Sequence, residues 1–381
     1  MIRRRSEIGR AGRLVIKIGS ALLADRNGGV QLPRMERIAS EVARLHASGK
    51  EVCLVSSGAV ALGALHLGWS GRALSLHEKQ AAAAVGQPLL MRAWGDAFAD
   101  HGLTPAQMLL TKDDLRHRRR YLNASNTSRT LFAAGVVPVV NENDTVVVEE
   151  IKFGDNDALA ALTALVLEAG LLVLMTDVDG LHDADPRRHP DARRIGEVHR
   201  WNEALLHTAG GPTDPGGFGT GGMESKLKAA RVALRGGVAT AMIDGRDGTA
   251  LTRLLRGEDV GTIFYCSDDR ASRRRHWIAE VLRPAGRVTI DAGAAHALQR
   301  RGGSLLPVGV RAVSGVFDKG ECIEVVDEEG RPIARGLVNY TSEEVRRLCG
   351  VPSDRIEEIL GYVDYTSIIH RDNLVLIGRK M

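Results

Sequence analysis

Residues 136–144 have the sequence Val136-Val137-Pro138-Val139-Val140-Asn141-Glu142-Asn143-Asp144, in which an apolar run of strand length stops abruptly in amides and carboxylates. A second polar cluster, Asp155-Asn156-Asp157, begins the alanine-rich segment 158–169, which has the composition of a helix. The pattern predicts a buried strand whose carboxyl end faces the start of a helix. In open α/β sheets, ligands bind in the crevice beyond the carboxyl ends of the strands.

The polar side chains at this crevice favour a ligand that carries an ammonium together with hydroxyl or carboxyl groups, such as a free amino acid. The alternative is purely local, with Asp155 and Asp157 capping the helix and Asn141–Asp144 forming a turn. Capping needs only one or two such residues, and the sequence supplies more. We therefore predict a ligand site.

Other apolar runs alternate with helical patterns along the first two thirds of the chain. Strands are predicted at 14–18, 51–55, 108–110, 136–140 and 171–175, and helices at 33–48, 76–98 with an interruption at Gly86-Gln87-Pro88, 123–134 and 158–169. Strands that alternate with helices indicate an α/β fold with a doubly wound, mostly parallel sheet.

A lysine lies near the end of the first predicted strand. Burying the ammonium of Lys17 is costly unless it reaches a polar site, so a phosphate-binding lysine is one interpretation, with Gly19 and Ser20 offering backbone N–H groups to the same anion. The alternative is a lysine whose stem extends to solvent. The next strand end, Ser56-Ser57-Gly58-Ala59, predicts an anion site at a helix N-terminus, although a serine N-cap would explain one serine.

A second lysine follows a glycine-rich loop, Gly217-Phe218-Gly219-Thr220-Gly221-Gly222-Met223-Glu224-Ser225-Lys226, which continues into a helical pattern. No strand precedes its G-x-G-x-x-G, so a dinucleotide fingerprint is not indicated, and the chain has no P-loop motif. Loop amides and an ammonium suit the terminal phosphates of a nucleotide, whereas the alternative is a plain surface loop.

Two lysines on separate elements, with an acidic cluster between them, together indicate phosphoryl transfer, because catalysis there is mainly positioning and charge neutralisation. At ~4 Å and an effective dielectric near 20, one ammonium contributes about 4 kcal/mol against a phosphoryl oxygen. That energy corresponds to about a thousandfold in rate. Loss of either lysine should therefore be severe.

The composition is that of a soluble globular protein of two or three domains, with 381 residues, 44% apolar and 26% charged. Its 51 basic and 47 acidic residues imply no general affinity for nucleic acid or membrane, and no apolar stretch approaches the ~18 residues of a membrane span. Residues 1–13 predict a solvated basic tail, and Arg116–Arg120 a solvated helix face. Cysteines 53, 266, 322 and 349 predict reduced, mostly buried thiols of a cytosolic protein.

The last third of the chain changes to short β-like runs separated by glycines. Strands are predicted at 288–290, 313–317, 322–326 and 333–338, after a helix at 270–280. The predicted organisation is a tail 1–13, an α/β domain 14–268, a connecting helix or linker 269–283, a small β-rich domain 284–369 and a C-terminal tail 370–381. The β-rich part resembles a PUA domain, a module that binds RNA in other families.

An RNA-binding module should present a basic face. Residues 284–381 instead carry 13 lysines and arginines against 14 acids, a net charge of about −1. We therefore expect a role in assembly or regulation.

Several motifs resemble those of the amino acid kinase family, in the same order, from about Leu14 to the C-terminus. They are Val15–Ser20, Val55–Ala59, Val139–Asp144, Gly154–Asp157, Met175–Asp177 and Gly219–Met223. One departure is Gly19-Ser20-Ala21, where many relatives have Gly-Thr-Ser. Ser20 keeps the hydroxyl group.

The resemblance implies that Lys17 and Lys226 bind and neutralise the transferring phosphoryl group and that Asp157 holds both lysines. It implies glutamate-binding positions at Ser57, Asp144 and Asn156, and assigns no metal ligand. The implied ATP-binding positions are Lys17, Gly19, Ser20, Thr176, Asp177, Thr220, Gly221, Gly222, Met223, Glu224, Ser225 and Lys226.

The implied reaction is phosphorylation of the side-chain carboxylate of L-glutamate by ATP with Mg²⁺, giving L-glutamyl 5-phosphate in proline biosynthesis. Alternatives are a relative acting on N-acetylglutamate or aspartate, and an RNA-binding protein acting through the C-terminal module. An acylated amine would have no use for Asp144 and its neighbours, which favours the free amine. The resemblance also implies a cytoplasmic homo-oligomer, feedback inhibition by proline, and transfer of the product to glutamyl phosphate reductase.

Overall fold

The computed structural model describes residues 2–23, 29–146, 155–186, 189–207, 222–266, 278 and 282–377. The chain divides into two compact units. The first comprises Met1–Leu115 and Asn123–Ser267, and the second comprises Arg116–Leu122 and Asp268–Met381.

The first unit is built on a mostly parallel sheet, as the alternation of strands and helices predicts. Its strands are β1 Arg13–Ile18, β2 Glu51–Ser56, β3 Pro105–Leu110, β4 Val137–Glu142, β5 Leu171–Thr176, β6 Glu197–Val198, β7 Ala239–Asp244 and β8 Thr262–Phe264. Within the described residues their order is β3-β4-β2-β1-β5-β7-β8-β6, and every neighbouring pair is parallel except β7 with β8. The chain moves out from β1 in both directions, so the carboxyl end of β1 lies where the strand order reverses.

Helices connect the strands, as parallel pairing requires. Up to residue 266 they are α1 Ser20–Leu23, α2 Leu32–Ala47, α3 Ala59–His66, α4 Leu76–Ala99, α5 Lys112–Arg116, α6 Arg118–Ala133, α7 Asp155–Val166, α8 Ala204–His207, α9 Met223–Arg235 and α10 Ala250–Leu255. No helix in the described ranges has the length and hydropathy that crossing a bilayer would require.

The side-chain alternation of β1 places its residues on two faces of the sheet. Leu14, Ile16 and Ile18 are fully buried and pack in one core with residues of α2 and α4. Lys17 alternates to the opposite face, where α7 packs against β1. The lysine is therefore held inside the fold and does not extend to solvent, which excludes the alternative interpretation of this residue.

Helix α4 departs from its predicted form. It runs without a break for 24 residues and contains Pro88 in its interior, so the predicted interruption at 86–88 is wrong. Gly86 lies against α3 so closely that a Cβ there would be 1.8 Å from the carbonyl oxygen of Ala59. A Cβ on Gly63 would likewise be 1.7 Å from the carbonyl oxygen of Ala82. The glycines permit close packing of two helices, and this tertiary contact outweighs the local preference to break.

The start of the chain is folded, and the prediction of a solvated tail is wrong for residues 2–13. Arg5–Arg10 form a 3₁₀ helix in which Ile8 is fully buried. The guanidinium group of Arg5 donates hydrogen bonds to the carbonyl groups of Gly196, Glu258 and Val260, at 2.9 to 3.0 Å. Contacts with residues 191 to 255 positions away in sequence therefore fix this segment.

The second unit contains a five-stranded sheet in its described part. Its strands are β9 Gly286–Ile290, β10 Val310–Gly315, β11 Cys322–Val326, β12 Pro332–Leu337 and β13 Leu374–Leu376, in the order β10-β9-β11-β12-β13. Its helices are α11 Ala292–Arg301, α12 Ser342–Leu348 and α13 Ile356–Leu360. The sheet and helices share an apolar core, and the β-rich prediction is confirmed.

Two other predictions concern the borders of this unit. Strand β13 pairs antiparallel with β12, so Leu374–Leu376 are part of the sheet and the predicted tail 370–381 is wrong there. The predicted helix 270–280 and the linker 269–283 lie mostly outside the described residues and stay predictions.

Within the arginine-rich stretch, Arg119 is 77% exposed and pairs with Asp318 at 3.4 Å, which agrees with a solvated face.

The four cysteines all lie in the described residues and form no disulfide; Cys53, Cys266 and Cys322 are buried and Cys349 is half-buried.

Candidate active site

Three charged residues from three different elements meet at the carboxyl end of β1. Lys17 Nζ lies 2.6 Å from Asp157 Oδ1, and Lys226 Nζ lies 3.6 Å from Asp157 Oδ2. The side chains are 5%, 0% and 8% exposed for Lys17, Asp157 and Lys226. Asp157 lies in the first turn of α7 and Lys226 in the first turn of α9. One carboxylate therefore holds two buried ammonium groups, and the three charges sum to one positive charge.

The electrostatics of this cluster depend on burial and on mutual attraction. Burial by itself would raise the pKa of Asp157, but the ammonium groups of Lys17 and Lys226 outweigh it and hold the pKa below its usual value. Burial lowers the pKa of Lys226, and the carboxylate of Asp157 opposes that change. The carboxylate is therefore ionised at neutral pH and fixes the positions of both lysines.

Ser225 joins the cluster from the start of α9. Its hydroxyl donates a hydrogen bond to Asp157 Oδ2 at 2.6 Å. A charge-assisted hydrogen bond of this length is stronger than one between neutral groups. Ser225 therefore orients the same carboxylate that holds the lysines, a contact that the sequence did not predict.

Backbone turns surround the two lysines. Gly19 follows β1, and Ser20 begins α1. A Cβ at Gly19 would lie 3.9 Å from Lys17 Nζ, so a side chain at this position would contact the ammonium. On the other element Gly222 is the N-cap of α9, before Met223 and Glu224. Thr220 and Gly221 of the predicted ATP site lie outside the described residues.

A second, uncharged group of side chains lies beside α7. The side-chain amide nitrogen of Asn156 donates to Ser57 Oγ at 2.8 Å, to Asn141 Oδ1 at 3.0 Å and to the backbone carbonyl of Ser56 at 3.3 Å. Gly58 precedes α3 with φ of 109°, a left-handed conformation that favours glycine, and caps the helix without a side chain. The serine N-cap alternative is therefore wrong, and Ser57 instead contacts Asn156.

This polar group continues into the fold through residues that the sequence did not indicate. Asn141 Nδ2 donates to Gln87 Oε1 at 2.8 Å, and Gln87 Nε2 donates to Gln107 Oε1 at 3.1 Å. Gln87 is buried on α4, within the stretch interpreted from sequence as a helix break. A glutamine on the buried face of an alanine-rich helix was the available signal.

The remaining predicted residues occupy other strand ends. Asp144 is half-buried in the turn after β4, whereas Asn141 and Glu142, which the alternative interpretation also placed in a turn, belong to the strand. Thr176 ends β5, and its hydroxyl donates to Asp177 Oδ1 at 3.1 Å. These ends lie on the same edge of the sheet as Lys17, since β1, β4 and β5 all run in one direction.

No group of three or more histidine, cysteine, aspartate or glutamate side chains within the described ranges is arranged to hold a metal ion. The cluster around Asp157 is cationic and suits an anion.

Comparison with known proteins identifies the class. Residues 12–243 match the amino acid kinase family, and residues 286–360 match the PUA domain. The chain therefore belongs to the amino acid kinase family.

Its curated relatives make the assignment narrower. The chain is 52% identical over 373 residues to the glutamate 5-kinase of Chromohalobacter salexigens, covering 98% of both chains. It is 51% identical to that of Thioalkalivibrio sulfidiphilus, covering 99% of this chain and all of the relative, and 50% identical to that of Pseudomonas aeruginosa strain UCBPP-PA14, covering 98% of this chain and all of the relative. Within the family, the chain groups with the glutamate 5-kinases over nearly its full length.

Proposed function

We propose that this protein is an ATP-dependent glutamate 5-kinase, which phosphorylates the side-chain carboxylate of L-glutamate to L-glutamyl 5-phosphate, the first step of proline biosynthesis. The observation that carries the proposal is the pair of buried lysines on Asp157, in a chain about 50% identical to glutamate 5-kinases along nearly its whole length. The same identity gives no support to a kinase of N-acetylglutamate or aspartate, or to a protein whose main role is RNA binding.

The roles of the three charged residues follow from their geometry. Lys17 and Lys226 approach one point from separate elements, so both ammonium groups can contact the transferring phosphoryl group. Charge that develops on that group meets preorganised positive charge in a water-poor site, which is where such contacts are most effective. Asp157 positions the lysines and compensates one of their two charges before the nucleotide binds.

The acceptor needs no catalytic base. A glutamate side chain has an ordinary pKa of about 4.3, so at neutral pH its carboxylate is already ionised and nucleophilic. Ser57, Asp144 and Asn156 are proposed to hold this substrate, and the chemistry that remains is alignment of the carboxylate with the γ-phosphate.

The nucleotide is proposed to occupy the strand and helix ends around both lysines. Gly19, Ser20, Thr176, Asp177 and the segment Thr220–Lys226 are the proposed contacts. Magnesium is proposed to enter with ATP, since this ion is usually held by phosphates with few protein carboxylates. The cationic character of the cluster agrees with this, because the phosphates themselves supply the negative oxygen ligands.

The family resemblance supports further proposals about the setting of the reaction. These are a cytoplasmic location, a homo-oligomer, inhibition by proline, and use of the labile product by glutamyl phosphate reductase. The PUA-like unit is proposed to act in assembly or regulation.

The test is ADP release with MgATP and L-glutamate, N-acetylglutamate or L-aspartate, in the presence of hydroxylamine to trap an acyl phosphate. We expect hydroxamate formation that depends on glutamate. Turnover with another acid and none with glutamate would overturn the substrate, and no turnover with any of the three would overturn the kinase.

A further inference from the structure

A row of four side-chain amides runs from the sheet edge to the proposed glutamate site. Gln107 on β3 contacts Gln87 on α4, Gln87 contacts Asn141 on β4, and Asn141 contacts Asn156 on α7, at 3.1, 2.8 and 3.0 Å. A primary amide has a donor end and an acceptor end, so each member of such a row constrains the next.

Backbone groups fix the direction of the row. The N–H group of Glu142 donates to Asn141 Oδ1 at 2.9 Å, and a backbone N–H can only donate. Asn141 must therefore turn its oxygen towards Asn156 and its nitrogen towards Gln87. The carbonyl of Ser56, which can only accept, lies 3.3 Å from the Asn156 amide nitrogen and imposes the same direction on Asn156.

The consequence is a buried acceptor at the end of the row. With its nitrogen committed, Asn156 presents Oδ1, which is inaccessible to solvent and has no hydrogen-bond partner among the described residues. A buried carbonyl oxygen without a donor is unfavourable by about 1–3 kcal/mol, so a bound ligand that brings a donor would relieve it. An ammonium is the strongest donor that a free amino acid offers.

We infer that Gln87 is a positioning residue for substrate specificity. It accepts a hydrogen bond from Asn141 and thereby orients the Asn156 side-chain carbonyl oxygen to accept from the α-ammonium of the amino-acid substrate. This inference rests on the proposed function, and it assigns the free amine to the amide row. Gln87 itself is not proposed to touch substrate. Asn141 is only 2% exposed, and removal of the Gln87 side-chain amide would leave the Asn141 amide nitrogen without its acceptor. Asn141 and Asn156 would shift to compensate.

Two substitutions of similar size separate this role from packing. Gln87→Met keeps the volume and removes the acceptor, whereas Gln87→Glu keeps an oxygen facing Asn141. If Gln87 acted only in packing, Gln87→Met should be more active than Gln87→Glu, because burying a carboxylate is costly. The positioning role predicts the opposite order. In Gln87→Met, kcat/KM for glutamate should be lower than in the parent by about tenfold or more, which is the scale of one lost hydrogen bond to a charged group. In Gln87→Glu, kcat/KM should stay within about threefold of the parent value.

Glutarate, which lacks only the amine, reports whether the loss concerns the ammonium. The inhibition constant of glutarate against glutamate should be nearly equal in parent and Gln87→Met, while the KM for glutamate rises and the KM for MgATP stays constant. Gln80 lies two turns earlier on α4, and Gln80→Met is the matched control, with parental kinetics expected. Thermal unfolding of each variant confirms that it is folded.

Three results would overturn the inference. They are better activity in Gln87→Met than in Gln87→Glu, an equal loss of affinity for glutamate and glutarate, and equal binding of the two compounds by the parent. Absence of any glutamate-dependent turnover in the parent would instead refute the proposed function and is seen before any variant is made.

Discussion

Asp157 determines how the site is charged before any substrate arrives. It has no exposed surface and contacts two ammonium groups and a serine hydroxyl, so its carboxylate is the hub of the cluster. The excess positive charge is what a polyphosphate would neutralise, and each lysine is the proposed partner of a phosphoryl oxygen. Substitution of a lysine should therefore mainly lower turnover, whereas substitution of Asp157 should mainly lower stability.

At Lys226 we expect loss of the ammonium to affect turnover above all. Lys226→Ala should fold and lose at least about a hundredfold in kcat, as when one transition-state charge partner is removed. Far-UV circular dichroism and initial rates with MgATP and glutamate check this. Near-parental turnover would remove Lys226 from the proposed catalytic role.

The pH dependence follows from the lowered pKa of Lys226, which burial causes and Asp157 opposes. The folded protein loses this proton at a lower pH than a free lysine, whose pKa is about 10.4. As pH is raised, kcat/KM for MgATP should therefore begin to fall at a pH below about 10.4, the pKa of a free lysine. The unfolded chain binds the proton more tightly in this window, so the contribution of Lys226 to stability rises with pH, and loss of this proton does not itself destabilise the fold. Lys226→Arg should move the fall to higher pH, and an unchanged profile would contradict the assignment.

Asp157→Asn should destabilise the protein, because it leaves two buried ammonium groups without a counter-charge. Breaking a buried ion pair in this way costs about 3–5 kcal/mol. MgATP supplies the missing negative charge, so the gap in thermal midpoint between variant and parent should narrow as MgATP is raised. The exposed Asp100→Asn is the control with a parental midpoint. A gap that stays constant with MgATP would argue against phosphate binding at this cluster.

At this scale the sequence predicted the charged residues of the cluster together with Ser57 and Asn156, but it predicted neither a role for Gln87 nor the contact of Ser225 with Asp157. Lys17, Asp157 and Lys226 stand out because ionised groups beside apolar strands and at helix starts need a reason to be there. Gln87 and Ser225 act by direction of hydrogen bonding, and that direction depends on neighbours that are 20 to 68 residues away in sequence.

At the scale of elements, the contact between α3 and α4 illustrates where local rules fail. Glycine and proline near the middle of a helical pattern usually mark its end. Here Gly86 is required by the approach of another backbone, and the helix continues through Pro88. The five strands predicted in the first unit are present, and none of their ends differs from the prediction by more than three residues. The strand Ala239–Asp244 was missed.

Gly86→Ala should destabilise the protein despite the better helix propensity of alanine. The new Cβ would meet the Ala59 carbonyl, a backbone atom that can move only with its helix, and such overpacking costs about 1–3 kcal/mol. Gly95 on the same helix has no atom within 4 Å of an added Cβ, so Gly95→Ala should gain up to about 1 kcal/mol. Urea unfolding of both variants measures the two signs. Equal effects at the two positions would show that the close contact is unimportant.

At the scale of the whole molecule, the first residues of the chain hold together segments of the first unit that are distant in sequence. Five arginines in thirteen residues indicated a solvated tail, but Arg5 is 13% exposed and pairs with Glu197 and Asp259 as well as three carbonyls. Composition could not reveal this, because the partners of Arg5 lie more than 190 residues away in sequence.

Arg5→Met should therefore lower the free energy of unfolding by about 2–3 kcal/mol, the order expected for hydrogen bonds from a buried charged group. Arg4 is its neighbour, 74% exposed and paired with Glu7, and Arg4→Met should change stability by less than about 1 kcal/mol. Thermal unfolding compares them. Equal, small effects would mean that the contacts of Arg5 contribute little.

Residues 284–381, the PUA-like part of the second unit, should not bind RNA strongly in the intact protein, because they carry no excess of positive charge. Filter binding of a structured RNA at two salt concentrations is the measurement. Binding whose logarithm falls with the logarithm of salt, at a slope appropriate to several phosphates, would contradict the proposed role in assembly or regulation.

The order in which the three charges occur along the chain has a consequence for synthesis on the ribosome. Lys17 is made early, Asp157 much later, and Lys226 only after a further stretch of chain. At about 5–20 residues per second, about 10–40 s separate the first charge from the last. A truncated product that stops before α9 holds the negative hub and one cation but lacks the second. Incomplete chains should therefore not transfer phosphate from ATP.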